Sequence, residues 1–284
     1  MPPSIAIIAP GAMGSAIAAR LAEHGCKVLT SLEGRSEATR RRAAAAGMIA
    51  ADDAEIARAD IILSVVPPAD AVALAEQLAT SISRSATKPI VVDCNAVNVE
   101  TIRTIEEIVL SSGARLVDAA IIGLPPKPGT AGPTFHLSGE AAADVAVLRE
   151  LGLDLRVVQG PVGAASALKM SYAGVNKGLS GLGAAMVLAA TRTGAADALR
   201  DELAASAPHL HGRLATALPD MLPKAYRWVA EMREIAGFLG PDHPAALIYE
   251  GLARWFEHLA ADAQGEGTEA AQIVAFAESC RAKK

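Results

Sequence analysis

The apolar stretch "PVGAASALKMSYAGVNKGLSGLGAAMVLAATRT", Pro161 to Thr193, surrounds one lysine with carbon: Ala164, Ala165, Ala167, Leu168 and Met170 all lie close to Lys169. Burial lowers a lysine's proton affinity toward neutrality, and such a lysine can give a proton to a reacting oxygen and take it back. On a helix, positions 169, 173 and 176 share one face, and Tyr172 flanks it. Asn176 offers an amide that can orient a substrate but cannot release a proton, and Tyr172 offers a hydroxyl. The competing reading is a lysine at a domain seam with its stem on apolar surface and its ammonium in water.

A second stretch supplies the partner chemistry. In "IAIIAPGAMGSAIA", residues 5 to 18, an apolar run breaks at Pro10-Gly11, and a second glycine follows at Gly14. A strand, a glycine turn and a helix in that order hold a dinucleotide diphosphate on the helix N-terminus. Here Ala9, Pro10 and Gly11 stand where Gly-x-Gly is usual. Alanine is tolerated at the first position if its φ stays negative, and Pro10 stiffens the turn while removing one N–H. Gly14 and Ala18 share a face and let helix, strand and phosphate approach. Pro10, Gly11, Ala12, Met13 and Gly14 are therefore the expected cofactor loop, and the alternative is a tight turn without a ligand. With a nicotinamide cofactor there, Lys169 is the acid/base that hydride transfer to or from a carbonyl carbon requires.

The choice between NAD and NADP falls at "TSLEGRSEATRRR". An acidic residue there suits a ribose hydroxyl, whereas arginine and small hydroxyls suit a 2′-phosphate. Arg35 and Ser36 point to NADP. Glu33 points to NAD, which remains possible, and Arg40 to Arg42 also read as a solvated helix face.

These residues need elements to hold them. Strands are expected within "KVLTSL" from Lys27, "ADIILSVVPP" from Ala59, "KPIVVDCNA" from Lys88, "ARLVDAAII" from Ala114 and "TFHLSG" from Thr134, with helices over 36–46, 69–81 and 99–112. Alternation of this kind predicts an α/β fold with a doubly wound, mostly parallel sheet, whose ligands sit beyond the carboxyl ends of the strands. Residues 64–68, 93–96 and 120–129 should then share a rim with the glycine loop. After about residue 160 the chain reads as helical, with one long buried helix over 161–193 and breaks at Pro208, Pro219, Pro223, residues 240–244 and residues 265–267. The expected organisation is a dinucleotide-binding domain over 1–160 and an all-α substrate and dimerisation domain over 161–284. So apolar a helix, rich in small residues, predicts a homodimer.

Composition bounds the function. A chain of 284 residues, 51% hydrophobic, can build substantial cores, and its net charge of -5 argues against nucleic-acid binding. Ile5 to Ala9 is too short for a membrane span or a signal core. Three scattered cysteines without a CxxC are the pattern of a reduced, cytoplasmic protein. His209 and His211, two apart, point differently on a helix and lack further ligands, so no metal site is expected.

Five motifs together resemble one group. "GAMGSAIA", "SVVPP", "VDCNA", "DAAIIGLPPKPGT" and "GPVGAASALKMSYAGVN" occur in the order found in β-hydroxyacid dehydrogenases, which include 3-hydroxyisobutyrate dehydrogenase and have phosphogluconate dehydrogenases and imine reductases as relatives. The resemblance covers residues 5–195 and implies a Rossmann domain. It makes Lys169 the catalytic acid/base, places Val66, Pro67 and Asn95 at the cofactor, and puts Ile122 and Gly123 with Lys169 at the substrate. The chain also departs from the group. Ala173 replaces an asparagine, and Asn176 stands where phosphogluconate dehydrogenases carry a glutamate acid, which disfavours oxidative decarboxylation. Ile122 and Leu124 replace a serine and a glycine that hold a substrate carboxylate, so a less polar small molecule is expected. Lys127 restores a charge there or is simply an exposed loop lysine. Tyr226, Trp228 and Glu231 reach the cleft or pack a core. The leading expectation is an NADP-dependent oxidoreductase for a small carbonyl/alcohol pair, resembling 3-hydroxyacid dehydrogenases. The alternatives are an imine reductase and a dinucleotide sensor without turnover.

Overall fold

The computed structural model describes residues 2–127, 129–130 and 132–282. Eight strands form one sheet: β1 (Ile5–Ile8), β2 (Val28–Thr30), β3 (Ile49–Ala50), β4 (Ile61–Ser64), β5 (Ile90–Asp93), β6 (Arg115–Ile122), β7 (Thr134–Ser138) and β8 (Asp154–Val157). Their order is β3-β2-β1-β4-β5-β6-β7-β8. Neighbours from β3 to β6 run parallel, β7 runs antiparallel to β6, and β8 is parallel to β7. The pattern is a doubly wound α/β sheet, as the alternation of elements predicts. Sequence reasoning missed β3 and β8. The first has two exposed residues and the second exposes Arg156 and Val157, so neither carries the apolar run of a central strand.

The crossover helices of this half are α1 (Ala12–Glu23), α2 (Glu37–Ala45), α3 (Asp53–Ile56), α4 (Ala71–Ser83), α5 (Val99–Ser111) and α6 (Ala142–Val145). Because side chains alternate along a strand, β1 feeds two cores. Ile5 and Ile7 pack with Ile17, Leu21 and Leu63 on one face, while Ala6 and Ile8 pack with Ile62, Leu78 and Ile102 on the other. A sheet buried on both faces explains the uninterrupted Val/Ile runs.

The helices that follow are α7 (Ala164–Arg192), α8 (Ala196–Ser206), α9 (Pro208–Met221), α10 (Ala225–Leu239), α11 (Ala246–Gln264) and α12 (Thr268–Ala282). Their core is built on Leu188, Leu218, Met232, Phe256 and Ile273. Pro219 does not break the chain; it lies inside α9, in its last turn. Gly174, Gly178 and Gly181 of α7 have Tyr249, Leu252 and Phe256 of α11 against them, so small residues let these two helices close together. The face of α7 turned away from this core is not covered within the single chain. Tyr172, Val175, Leu179, Leu182 and Met186 all stand exposed along it.

The chain separates into two compact units, Met1–Lys169 and Met170–Lys284. The division lies within α7, beyond the composition change at residue 160, because side chains of the sheet hold the first turn of that helix.

Candidate active site

The strand register sets a polar row across the sheet. Ser64 of β4 pairs with Asp93 of β5, which pairs with Asp118 of β6. All three are buried, and each polar atom is matched. Asn95, at the end of β5, is the knot. Its Nδ2 donates to Asp93 Oδ2 (2.7 Å) and Ser64 Oγ (2.8 Å), while its Oδ1 accepts from Val66 N (2.7 Å). Both amide hydrogens are therefore engaged within the sheet, and Asn95 fixes the chain at Val66 rather than presenting a free donor. Burial raises the Asp93 carboxyl to about 6, opposed by the hydrogen bonds from Asn95 and reinforced by the charge of Asp118.

Asp118 received no role in the sequence analysis, although it opens "DAAII". Its Oδ2 accepts from Gly163 N (3.0 Å), Ser166 N (2.9 Å) and Ser138 Oγ (3.1 Å), and its Oδ1 from Ser166 Oγ (2.7 Å). Ser138 Oγ in turn accepts from Ala165 N (2.9 Å). Two strands thus satisfy the free amides that begin α7, and the carboxylate suits the positive end of that helix. The spacing of Ser166 and Lys169 is the one signal that could have pointed to this role, because residues three apart share a helix face.

Lys169 follows on that face. It is partly buried, and among the described residues its ammonium has no hydrogen-bond or ion-pair partner. Burial pulls its proton affinity below the ordinary lysine range, while the carboxylates of Asp93 and Asp118 nearby pull it the other way. Burial likewise pushes the Cys94 thiol up, so it stays a neutral neighbour. An unpaired amine whose proton is loosened suits proton exchange better than anchoring.

The glycine loop leaves β1 at Ile8. No non-glycine residue among those described has a positive φ, so Ala9 meets the condition for replacing a glycine. The two glycines have different reasons. A Cβ on Gly14 would lie 2.2 Å from the Ala9 carbonyl oxygen, so the fold itself demands glycine there. A Cβ on Gly11 would meet nothing within 4 Å, and its φ of -71° suits any residue. Helix α1 begins with no side-chain cap and no acid in its first turn, whereas Ser36, Asp52 and Asn98 cap α2, α3 and α5. The first amides of α1 thus have no side-chain cap and begin beside the free space at Gly11, an arrangement that fits a diphosphate.

A cleft of about 440 Å³ adjoins the loop. Its walls include Ala9, Glu33, Arg35, Val66, Pro67 and Leu74, from the ends of β1, β2 and β4 and the face of α4. Arg35 and Glu33 are exposed there, and neither side chain has a partner among the described residues. Ser36 caps α2 through Thr39 N (3.3 Å), so its hydroxyl already has a structural task. Leu32, just past the end of β2, packs on the core. A cavity of about 540 Å³ between α3 and α4, lined by Asp53, Arg58, Gln77 and Arg84, has no glycine turn beside it.

Other expected residues fall as follows. Ile122 is half-buried at the end of β6. Gly123 has φ +131° and lies against Pro133, where a Cβ would approach within 2.9 Å, so the return into β7 requires glycine. Leu124 is 75% exposed, and Lys127 is exposed too. In the helical unit Tyr172 is half exposed. Asn176 is tied down: its Nδ2 donates to the Tyr172 carbonyl (2.8 Å) and its Oδ1 accepts from Arg213 (2.6 Å). Trp228 stacks edge-on against Phe256 (5.2 Å) beneath Lys177, Glu231 pairs with Lys177, and Tyr226 is exposed. Among the described residues no three His, Cys, Asp or Glu side chains are grouped to hold a metal, and no helix is long and apolar enough to cross a membrane.

Residues 4–151 match the family described as the NAD binding domain of 6-phosphogluconate dehydrogenase, more than half of the chain. The chain belongs to this family. It is a β-hydroxyacid dehydrogenase-like protein with a nicotinamide-dinucleotide fold, and residues 190–259 match a domain of unknown function, DUF1932. A solved protein of unknown function, described as structurally similar to 3-hydroxyacid dehydrogenases, is 26% identical with a TM-score of 0.80, over 95% of this chain and 99% of that one. Mycobacterium tuberculosis 3-hydroxyisobutyrate dehydrogenase, solved with L-serine, is 18% identical with a TM-score of 0.71, over 99% and 100%. An imine reductase from Myxococcus stipitatus in complex with NADP+ is 22% identical with a TM-score of 0.56, over 93% and 95%. No curated protein sequence matches the chain.

Proposed function

We propose that this β-hydroxyacid dehydrogenase-like protein is an NADP-dependent oxidoreductase that interconverts a small carbonyl compound and its alcohol, with Lys169 as general acid/base. The observation that carries this reading is the partly buried Lys169 ammonium, without a hydrogen-bond or ion-pair partner among the described residues, on a helix turn that Asp118 anchors to the sheet through Ser166. The dinucleotide, when bound, supplies or accepts the hydride. The uncapped amides of Ala12, Met13 and Gly14 hold its diphosphate, and Arg35 takes the 2′-phosphate through charge-assisted bonds. In reduction, Lys169 Nζ gives its proton to the carbonyl oxygen as the carbon receives hydride; in oxidation, the neutral amine removes the hydroxyl proton. The apolar Ile122 and Leu124 favour a substrate less polar than a short 3-hydroxyacid.

The same apolar loop favours a second reading, reduction of a cyclic imine, where the substrate carries its own proton or Tyr172 provides one. Screening aldehydes, ketoacids and cyclic imines for NADPH consumption separates the two. Lys169→Ala should lower the rate of carbonyl reduction on the order of 10² to 10⁴-fold at little cost in coenzyme affinity, and Lys169→Arg should fail as well because guanidinium stays protonated. Normal hydride transfer in Lys169→Ala would sink the carbonyl mechanism and favour the imine. Coenzyme binding without turnover of any class would leave a sensor.

A further inference from the structure

Three consecutive arginines, Arg40 to Arg42, lie on α2, and the structure gives each a different task. Arg41 pairs with Glu37 on its own helix (3.5 Å), with both side chains in solvent. Arg40 Nε donates to the Arg35 carbonyl oxygen (3.2 Å) in the turn that lines the cleft. Arg42 Nη1 donates to the Pro10 carbonyl oxygen (3.1 Å) in the glycine loop. Residues two apart on a helix point to different sides, so Arg40 and Arg42 reach different loops.

Pro10 is the residue at which this loop departs from the usual pattern, because it brings no N–H to the phosphate side. Arg42 places a guanidinium at that same residue, and one of its five N–H groups is used on the carbonyl while the rest have no partner among the described residues. The neighbouring end of α1 is uncapped and lacks any carboxylate in its first turn, so no acid there competes for the charge.

We infer that Arg42 is a dinucleotide-binding residue that supplies to the diphosphate the donor and positive charge that Pro10 cannot, while its bond to the Pro10 carbonyl sets the loop. This inference rests on the dinucleotide reading of the site. Because the diphosphate is common to both coenzymes, Arg42 acts on NADH and NADPH alike, whereas Arg35 acts on NADPH alone.

The test is titration of NADH and NADPH by coenzyme fluorescence, at low and high salt, with circular dichroism to check folding. Arg42→Ala should weaken both coenzymes about tenfold, the size of one charge-assisted bond in a partly exposed place. Arg35→Ala should weaken NADPH only, and Arg41→Ala neither. Arg42→Gln keeps an N–H for the Pro10 carbonyl without the charge, so it should bind as poorly as Arg42→Ala and show a flatter salt dependence than the wild type. Wild-type affinity in Arg42→Ala, or its full recovery in Arg42→Gln, would overturn the inference and leave Arg42 a loop clip. If the wild-type protein binds neither coenzyme, the functional reading itself falls, an outcome distinct from the other two.

Discussion

At the scale of single residues, chemistry and stability pull against each other. A partly buried ammonium without a partner destabilises the folded chain, so Lys169→Met should raise stability at pH 7 by about 1 kcal/mol while abolishing proton transfer. The pH dependence fixes the cause. The folded state holds the Lys169 proton less tightly than the unfolded chain does, so this penalty is full below the folded pKa and fades as pH rises toward the ordinary lysine range near 10.5. The gain from Lys169→Met, followed by urea unfolding, should therefore shrink as pH rises through that window. Asp93 has the opposite linkage: its folded pKa of about 6 lies above the unfolded 3.8, so its contribution is present below the unfolded value and lost as pH climbs through 6. The two loop glycines also divide by task. Gly11→Val should cost no more than about 1 kcal/mol, since nothing lies within 4 Å of a Cβ there, yet block NADPH in a binding titration. Gly14→Ala should destabilise by about 1 to 3 kcal/mol, because its Cβ meets the Ala9 carbonyl. Calorimetry and coenzyme titration on the same samples distinguish these effects.

Among the elements, the contrast between α1 and α7 carries most meaning. Both begin at the sheet, but α1 leaves its first amides open, whereas α7 spends its own on Asp118 and Ser138. One end is available to a ligand and the other is a mount. Asp118→Ala would strand two backbone amides and the hydroxyls of Ser138 and Ser166, at a cost of about 3 kcal/mol. Amide hydrogen exchange should then quicken over residues 163–169, with the remaining turns of α7 protected as before. Uniform protection over those residues would show that packing alone holds the turn.

At the scale of the whole molecule, the exposed face of α7 raises the question of assembly. Tyr172, Val175, Leu179, Leu182 and Met186 follow one another at alternating steps of three and four, the spacing of a coiled-coil seam. Such a stripe is self-complementary, so a second copy of this helix covers it best and the protein is expected to be a homodimer. Sedimentation should give a dimer at micromolar concentration, and Leu179→Glu with Leu182→Glu should give a folded monomer. A wild-type monomer under those conditions would count against the seam.

The sequence by itself determined the central strands of the sheet, because Val/Ile runs buried on both faces leave few alternatives, though not the exposed β3 and β8, and it marked the Pro10-to-Gly14 turn and Lys169 through residue types that act locally. It could not reveal Asp118, whose four hydrogen bonds come from residues 20 to 48 positions away. Nor could it separate Gly11 from Gly14, since only the approach of the Ala9 carbonyl makes the second indispensable. Asn95 and Asn176 look like free amides in the sequence, yet Ser64 and Arg213, distant in the chain, occupy them. The arginines of α2 read alike until the loops they hold are in place. Hydrophobic pattern is written along the chain, but the partner of a polar group is chosen in space, and only the tertiary structure assigns it.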